Sequence, residues 1–329
     1  MAKLVLGLGV SHTPQMSLPS DCWEDYAKND GKFFDLIWRR EIWSFDDLVS
    51  ERKAENLSEE IKPQVWQRRF DQITSAVAEA EAALEEAKPD VVLVVGDDHR
   101  EIYSEAAMPT FSIFWGNSVE AIPPSEIYEA VKPAAWALFG TSRETYACHS
   151  DLGRHLIASL HEMEFDVAQV CELPEETSVG HPFIAVRQRL MSNRTIPTPM
   201  VPIILNTYFA PNIPSPKRCW DFGQALVRAI ESFPEDISVA IVASGGLSHF
   251  VVDYEFDNRF LDAIGRGAIE ELEAEDFVSG TSECLCWIVA AGACSAMDMK
   301  VLGLVPGYRT LAGTGCTMAA ALWGGETDE

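Results

Sequence analysis

Three apolar runs in this chain each end close to a histidine, and this feature most restricts the folds that the chain can adopt. In chain order, the runs and their histidines are KLVLGLGVSHTPQM with His12, VVLVVGDDHREIY with His99, and ISVAIVASGGLSHF with His249. Apolar runs without polar alternation are typical of strands covered on both faces. Because ligand sites in open α/β sheets lie at the carboxyl ends of strands, we expect the three histidines at one edge of one sheet.

Strand and helix patterns alternate along the chain, and this alternation predicts the fold class. Strands are expected near 3–10, 90–95, 109–115, 165–171, 198–205, 237–243 and 299–304. Helices are expected at 64–87, 149–163, 181–192, 217–232, 256–275, 281–296 and 312–323. We therefore predict an α/β fold, in which a central mixed β-sheet is sandwiched by helices, as a single large domain over residues 1–329.

The segment 20–62 fits no strand pattern and is rich in aromatic residues: Trp23, Tyr26, Phe33, Phe34, Trp38, Trp43 and Phe45. We interpret it as a helical excursion over the sheet. Together with the long helix that follows, it forms a helical insertion at about 20–88. A lid over the sheet edge and a fixed structural cover are both consistent with this composition.

Charge and cysteine content exclude several classes of protein. The net charge of −26 argues against nucleic acid and against anionic membrane surfaces as binding partners, since both are bound by basic patches.

The longest apolar stretch near the C-terminus has about eleven residues, too few to span a bilayer. The N-terminal run is better explained as a strand than as a signal peptide, so we expect a cytoplasmic protein whose eight cysteines are free thiols.

The histidines divide into two groups. His149, His155 and His161 lie six residues apart on one predicted helix, so they share no face and are interpreted as surface or core residues. His12 and His99 each follow a strand, where a rigid element would hold a metal ligand. Taken alone, each is better explained as a turn residue, whereas the two together favour a metal site.

Two further histidines are candidates for proton transfer or hydrogen bonding. His249 follows the glycine turn of SGGLSHF, and His181 lies in SVGHPF at the expected start of a helix. The helix dipole there disfavours protonation, so His181 is either a neutral active-site imidazole or a helix cap.

Glu283 is the carboxylate candidate. It lies in SGTSECLCWIVAAG at the start of a helix that is otherwise apolar. A glutamate in a first turn can simply stabilise the helix dipole, but a buried carboxylate needs a partner or a metal. Two histidines and one carboxylate with open coordination positions form the facial triad of non-haem Fe(II) oxygenases.

These motifs in combination resemble the class III extradiol ring-cleavage dioxygenases, the superfamily of the protocatechuate 4,5-dioxygenase catalytic subunit. The stretches that carry the resemblance are GLGVSHTPQM, PDVVLVVGDDH, TSVGHPFIAV, ESFPEDISVAIVASGGLSH and SGTSECLCWIVAAG. The resemblance implies that His12, His99 and Glu283 bind Fe(II), and that His249 and His181 are the catalytic histidines. It also implies a small aromatic substrate, O2 and a homodimer.

Within this superfamily the chain resembles most the single-subunit 3-O-methylgallate dioxygenases, or those that cleave lignin-derived biaryl catechols. No segment resembling the separate small lid subunit of the protocatechuate enzyme is expected at either end of the chain. The insertion could instead close the site, as that subunit does. A catechol-type aromatic acid such as 3-O-methylgallate, gallate or protocatechuate is the implied substrate, with its ring opened beside the two hydroxyls. A metal-dependent hydrolase or a non-catalytic binding protein on the same scaffold is the alternative.

A carboxylate on the substrate ring needs a cation from the protein. Separately, an imidazole that binds a metal is often oriented by a carboxylate side chain of the protein. For the cation, the sequence leaves open Arg39, Arg40, Arg100, Lys217 and Arg218, each of which is equally consistent with a solvated surface charge. For the orienting carboxylate it offers Asp97 and Asp98, either of which could be only a turn residue.

Overall fold

The computed structural model of the chain describes residues 1–32, 35–192, 198–275 and 277–325. Its strands are β1 (Lys3–Val10), β2 (Leu36–Trp38), β3 (Glu41–Trp43), β4 (Val91–Asp97), β5 (Phe111–Phe114), β6 (Ser118–Ala121), β7 (Glu144–Ala147), β8 (Ala168–Val170), β9 (Met200–Leu205), β10 (Ser238–Ser244), β11 (His249–Val251), β12 (Met299–Tyr308) and β13 (Thr314–Gly324). Its α-helices are α1 (Trp23–Ala27), α2 (Phe45–Glu51), α3 (Pro63–Ala87), α4 (Ala135–Phe139), α5 (Ser150–Glu162), α6 (His181–Leu190), α7 (Pro216–Glu231), α8 (Tyr254–Arg266) and α9 (Cys284–Ala293).

Nine of the strands form one mixed sheet, which confirms the predicted architecture. The strand order is β11-β13-β1-β10-β4-β9-β5-β8, and β12 pairs with β13. β1, β10, β4 and β9 run parallel, whereas β13 is antiparallel to β1 and β5 is antiparallel to β9. The three strands that precede His12, His99 and His249 are therefore direct neighbours at the centre of the sheet.

Helices cover both faces of the sheet, which explains why its central strands show no polar alternation. In β4, the side chains of Val91, Leu93 and Val95 pack in a core with α7 and α9. The side chains of Val92 and Val94 point to the other face and pack with α3 and α6. Because successive side chains of a strand alternate between faces, both sets must be apolar when both faces are buried.

The prediction of a helix at 312–323 is wrong. Residues 314–323 belong to β13, which lies between β1 and β11 and is buried along most of its length. The run GCTMAAAL has no polar face, and the period of such a run does not distinguish a buried helix from a buried strand. Pairing with β1 and β12, which are distant in sequence, decides the conformation.

Three further predictions need smaller corrections. The expected helix at 256–275 ends at Arg266, and the regular α-helix expected at 281–296 runs only from Cys284 to Ala293. The helical excursion 20–62 also contains the hairpin β2–β3. Within the described residues, no helix is both long and apolar enough to cross a bilayer.

The insertion packs against the sheet edge that carries the histidines. Leu36 and Trp38 of the hairpin and Leu48 of α2 are buried with Val251 of β11 and Ala312. The long helix α3 packs on β12, β13 and β1. The insertion thus covers the end of the sheet near β11, and its motion as a lid remains a prediction.

Close packing between β1 and α9 depends on a glycine. A Cβ atom at Gly9 would lie 2.4 Å from the nearest ring atom of Trp287. Trp287 is fully buried and its indole N–H donates to the carbonyl of Gly245, at 2.8 Å. The ring therefore cannot move aside without breaking a buried hydrogen bond.

We expect Gly9→Ala to lower the free energy of unfolding by about 1–3 kcal/mol, the usual cost of overpacking a core. The matched control is Gly265→Ala on α8, where the nearest atom is the terminal methyl of Met299 and alanine favours the helix. Urea unfolding would measure both variants. Equal stability of Gly9→Ala and the wild type would contradict the packing described here.

Candidate functional site

The structure brings the five predicted site residues together around one cavity. His12 and His99 follow the carboxyl ends of β1 and β4, and His249 begins β11 after the turn that leaves β10. His181 is the first residue of α6, and Glu283 is the last residue of a 3-10 helix, Ser279–Glu283. The ring centroids of His12 and His181 are 4.7 Å apart, and those of His99 and His181 are 4.9 Å apart.

The cavity has a volume of about 600 Å³, which is typical of a small-molecule site. Its walls combine the five residues with other polar and aromatic side chains. They are formed by His12, Thr13, Pro14, Tyr26, Asp35, Ile37, His99, His181, Tyr208, Phe209, His249, Phe250, Ser279, Glu283, Arg309, Gly315 and Cys316.

Glu283 lies at the centre of the histidine cluster and is 1% exposed. Its Oε2 is 3.1 Å from His12 Nε2, and its Oε1 is 3.4 Å from His99 Nε2 and 3.2 Å from His249 Nε2. Burial opposes ionisation of Glu283, but the imidazoles of His249 and His12 outweigh it and hold the pKa well below its usual range. Glu283 is therefore a carboxylate at neutral pH.

Two groups from the protein donate hydrogen bonds to this carboxylate. The backbone N–H of Gly246, in the turn after β10, donates to Glu283 Oε2 at 2.5 Å. The hydroxyl of Tyr208 donates to Oε1 at 3.1 Å. Burial and the neighbouring carboxylates of Glu283 and Asp97 raise the Tyr208 pKa well above its usual value, so this phenol keeps its proton.

Hydrogen bonds at the far side of the His12 ring determine which nitrogen faces Glu283 as an acceptor. Ser244 Oγ donates to the carbonyl of Pro182 at 2.7 Å, so its hydrogen is already used. His12 Nδ1, 3.2 Å from the same oxygen, must then be the donor to Ser244. In a neutral His12 ring, Nε2 then carries a lone pair that faces a carboxylate oxygen of Glu283. Two acceptors that face each other need a proton or a cation between them.

The surroundings of His99 fit a metal site. Asp97 Oδ2 is 2.6 Å from His99 Nε2, yet this contact lacks hydrogen-bond geometry, and His99 Nε2 and Asp97 Oδ1 are both buried without a hydrogen-bond partner. Potential ligand atoms of His12, Asp97, His99 and Glu283 all lie within 4.8 Å of one another. Buried polar atoms without partners in such a cluster are typical of a group of metal ligands.

The two aspartates after β4 have different environments. Asp97 is fully buried and contacts His99 at the nitrogen that also faces Glu283. Burial opposes protonation of His99, but the carboxylates of Asp97 and Glu283 outweigh it and raise its pKa well above the usual value. Asp98 instead accepts three backbone N–H bonds from residues 101–103, so it is the turn residue of the pair.

Glu101 orients His181, a role that the sequence did not predict. Its Oε2 is 2.8 Å from His181 Nδ1, and its Oε1 accepts the backbone N–H of His181 at 3.1 Å. Burial opposes ionisation of Glu101, but the His181 imidazole outweighs it and lowers the Glu101 pKa to about 2. The Nδ1–H of His181 therefore donates to a carboxylate, which leaves Nε2 for the cavity.

His249 is held from both sides of its ring. Its Nδ1 is 2.7 Å from the carbonyl of Leu247, which can only accept, so Nδ1 carries the hydrogen. Nε2 faces Glu283 and the cavity. Burial opposes protonation of His249, but the charge of Glu283 outweighs it and raises the pKa of the imidazole well above its usual value.

A buried aspartate fixes the turn that leads into His249. The backbone N–H of Ser248 donates to Asp257 Oδ1 at 2.8 Å, and the Ser248 hydroxyl donates to Oδ2 at 2.7 Å. Burial raises the pKa of Asp257 to about 7, against the opposing effect of hydrogen bonds from Thr317 and Ser248.

The cation that lines the cavity is not one of those left open by the sequence. Arg39 and Arg40 line a neighbouring groove, Arg100 lines another, Lys217 pairs with Asp221, and Arg218 lies over Phe165. Among the described residues, Arg309 is the lysine or arginine that lines the cavity. It lies between the expected strand 299–304 and the expected helix 312–323, so no sequence signal placed it at the site.

Two of the other histidines have structural partners outside the cavity. His149 Nδ1 accepts the backbone N–H of Leu152 and so caps α5. His155 Nε2 lies 3.0 Å from the carbonyl of Ala229. All eight cysteines are free, as expected.

Comparison with known proteins shows the family to which the chain is similar. The model of the family described as the catalytic LigB subunit of aromatic ring-opening dioxygenase matches residues 56–318. A gallate dioxygenase from Pseudomonas putida KT2440 is 34% identical over 161 residues, which is 45% of this chain and 46% of that relative.

Two further relatives are named 2,3-dihydroxyphenylpropionate/2,3-dihydroxicinnamic acid 1,2-dioxygenase. The protein from Comamonas testosteroni is 26% identical over 177 residues, covering 54% of this chain and 48% of the relative. The protein from Mycolicibacterium smegmatis is 28% identical over 182 residues, covering 55% and 50%. The matches thus span about half the length of each relative.

The Asp257 environment predicts a pH-dependent stability. An unfolded aspartate has a pKa of about 4, whereas folded Asp257 has a pKa of about 7. Between these values the folded state holds a proton that the unfolded state has released. The contribution of Asp257 to stability therefore falls as the pH rises through this window.

Asp257→Asn cannot titrate, so its stability should lack this fall, as measured by urea unfolding at pH 5 and pH 8. Asp262→Asn, an exposed position on the same helix, is the control and should retain the wild-type difference between the two pH values. Parallel pH curves for Asp257→Asn and the wild type would exclude a titrating Asp257.

Proposed function

We propose that this chain, which belongs to the family of catalytic LigB subunits of aromatic ring-opening dioxygenases, opens the ring of a catechol-type aromatic acid with O2 in an Fe(II)-dependent extradiol reaction. The observation that carries the proposal is the convergence of the imidazoles of His12 and His99 with the buried carboxylate of Glu283, and with Asp97 beside them, at a cavity large enough for an aromatic ring. The named activities of the relatives support the same reaction class.

His12, His99 and Glu283 are the proposed ligands of Fe(II). Two neutral nitrogen donors and one carboxylate leave coordination positions open for substrate and O2. Bound Fe(II) would supply chelation of the two ring hydroxyls, a lowered phenol pKa and activation of O2. Tyr208 and Gly246 would keep the Glu283 carboxylate oriented through their hydrogen bonds to its two oxygens.

His249 is the proposed acid and base. With Nδ1–H bound to the carbonyl of Leu247, Nε2 is the nitrogen that would take a phenolic proton and later return it, once bound Fe(II) offsets the charge of Glu283. His181 would hydrogen-bond to the substrate hydroxyl or to oxygen through Nε2, because Glu101 fixes Nδ1 as the donor. Both roles use the nitrogen that faces the cavity.

The proposed substrates are 3-O-methylgallate, gallate and protocatechuate, and Arg309 is the proposed partner of their carboxylate. Arg309 already forms two bonds with the carboxylate of Asp30, at 2.9 and 3.0 Å, and one with Gln15 Oε1, at 2.6 Å. These bonds use three of the five N–H groups of a guanidinium. A substrate carboxylate would therefore share this cation with Asp30.

Removal of a proposed ligand should abolish iron retention without unfolding the chain. We expect His12→Ala and Glu283→Ala to lose bound iron after anaerobic loading and desalting, since even the loss of an outer partner of a metal ligand costs about 10- to 100-fold in affinity. His155→Ala, a histidine outside the cavity, is the control and should retain iron as the wild type does. Normal iron content in both ligand variants, with native circular dichroism, would refute the ligand assignment.

Replacement of the proposed acid and base should separate iron binding from turnover. We expect His249→Phe to retain iron but to lose about 10²- to 10⁴-fold in kcat, the usual contribution of a positioned proton-transfer group. Oxygen uptake per bound iron, with each of the three substrates, measures this loss. Wild-type turnover in the variant would remove His249 from the mechanism.

A further inference from the structure

Asp97 is a buried carboxylate whose hydrogen bonds do not compensate for its burial. It is the last residue of β4 and is 0% exposed. Within the part of the chain that the structure describes, Oδ2 accepts a long hydrogen bond of 3.4 Å from the hydroxyl of Thr207, and Oδ1 has no hydrogen-bond partner. Glu283, by comparison, accepts the backbone N–H of Gly246 and the hydroxyl of Tyr208. Since a buried carboxylate needs a partner, Asp97 requires a positive group inside the site.

The other histidines of the cavity show how an imidazole is oriented in this site. His12, His181 and His249 each have their orienting partner at Nδ1. These partners are, in the same order, the hydroxyl of Ser244, the carboxylate of Glu101 and the carbonyl of Leu247. A histidine that binds a metal is usually oriented in this way, through the ring nitrogen that does not bind the metal. Nε2 of each ring is thereby left for the inside of the site.

Asp97 lies on the opposite side of its imidazole. Its Oδ2 is 2.6 Å from His99 Nε2, and Oε1 of Glu283 is 3.4 Å from the same nitrogen. Two carboxylates therefore face the nitrogen on the inner side of the site. A carboxylate that only orients His99 would contact Nδ1, so the orienting role that the sequence offers for Asp97 does not fit this geometry. Asp97 instead has the position of a ligand.

The four side chains together form a group that could hold one divalent ion. Potential ligand atoms of His12, Asp97, His99 and Glu283 lie within 4.8 Å of one another. Two carboxylates offset both charges of a divalent ion, whereas the triad without Asp97 leaves one charge for an anionic substrate. A fourth protein ligand also takes one of the positions that a triad leaves open for substrate and O2. Asp97 and the substrate would therefore compete.

We propose that Asp97 is a fourth, displaceable ligand, which binds the divalent ion of the empty site and gives up its position when the substrate binds. The inference rests on the proposed function, because it takes His12, His99 and Glu283 as the Fe(II) ligands. It goes beyond that function by assigning Asp97 two opposite effects. Asp97 strengthens retention of the ion in the empty site, and it weakens binding of the catechol.

The test compares Asp97→Asn with the wild type in two anaerobic measurements, which read binding without turnover. Competition with a chelator measures Fe(II) affinity, and we expect it to fall at least about tenfold, since even outer partners of metal ligands contribute this much. Calorimetric titration of the Fe(II)-loaded protein measures protocatechuate affinity, and we expect it to rise at least about tenfold. A competing ligand that is bound in about 90% of the molecules lowers the apparent affinity by this factor.

Asp35→Asn is the matched control. Asp35 is an exposed carboxylate that lines the same cavity but lies outside the ligand group. Its loss removes the same charge and should change either affinity by no more than about twofold, because salt screens an exposed charge. Circular dichroism checks the fold of each variant. Asp97→Ala, which removes the carboxylate without adding volume, takes the place of Asp97→Asn if that variant does not fold.

Unchanged Fe(II) affinity in Asp97→Asn would overturn the fourth ligand. A loss of Fe(II) affinity without tighter binding of protocatechuate would also overturn it, and would make Asp97 a residue that orients His99. Changes of the same size in Asp35→Asn would reduce the result to an effect of charge and overturn the proposal as well.

Oxygen uptake by the wild type with protocatechuate, gallate and 3-O-methylgallate separates these failures from failure of the proposed function. Uptake without the expected changes in Asp97→Asn would leave the dioxygenase intact and remove the fourth ligand. The expected changes without uptake would support the fourth ligand and remove the dioxygenase. A wild type that retains no Fe(II) would remove both.

Discussion

The burial of the Glu283 carboxylate is the constraint on which the rest of the site depends. A carboxylate that is 1% exposed must be compensated, and the chain does so with the Gly246 N–H, the Tyr208 hydroxyl and imidazoles from neighbouring strands. The glycine turn after β10 lets its backbone approach the backbone of Glu283 closely, since a Cβ at Gly245 would lie 2.7 Å from the Glu283 carbonyl oxygen. Parallel pairing of β1, β10 and β4 then brings His12 and His99 to the same carboxylate.

The sequence predicted the sheet edge well because the signal is local. Apolar runs that end at His12, His99 and His249 identify both the strands and the end at which ligands lie. Glu101, Tyr208, Asp257 and Arg309 could not be predicted, because their roles depend on contacts with residues distant in sequence. The same reason explains the wrong helix at 312–323, whose strand pairing is non-local. Lid motion of the insertion and the expected homodimer remain predictions.

Under the proposed function, substrate selection in this site would depend on shape more than on charge. Arg309 is the cation of the described cavity lining, and it is shared with Asp30. The acidic chain offers little further attraction for an anionic ring. If the substrates are catechols as proposed, the apolar and aromatic walls of the cavity would be the main source of discrimination between them.

The proposed dioxygenase activity is tested most directly by following ¹⁸O from labelled O2 into the product of the Fe(II)-loaded protein. Gallate, 3-O-methylgallate and protocatechuate would each be added anaerobically before ¹⁸O2. We expect that at least one of them consumes one O2 per ring opened, with both labelled atoms in the ring-opened product. Ring-intact product carrying oxygen from water, or no O2 uptake although these substrates bind, would contradict it.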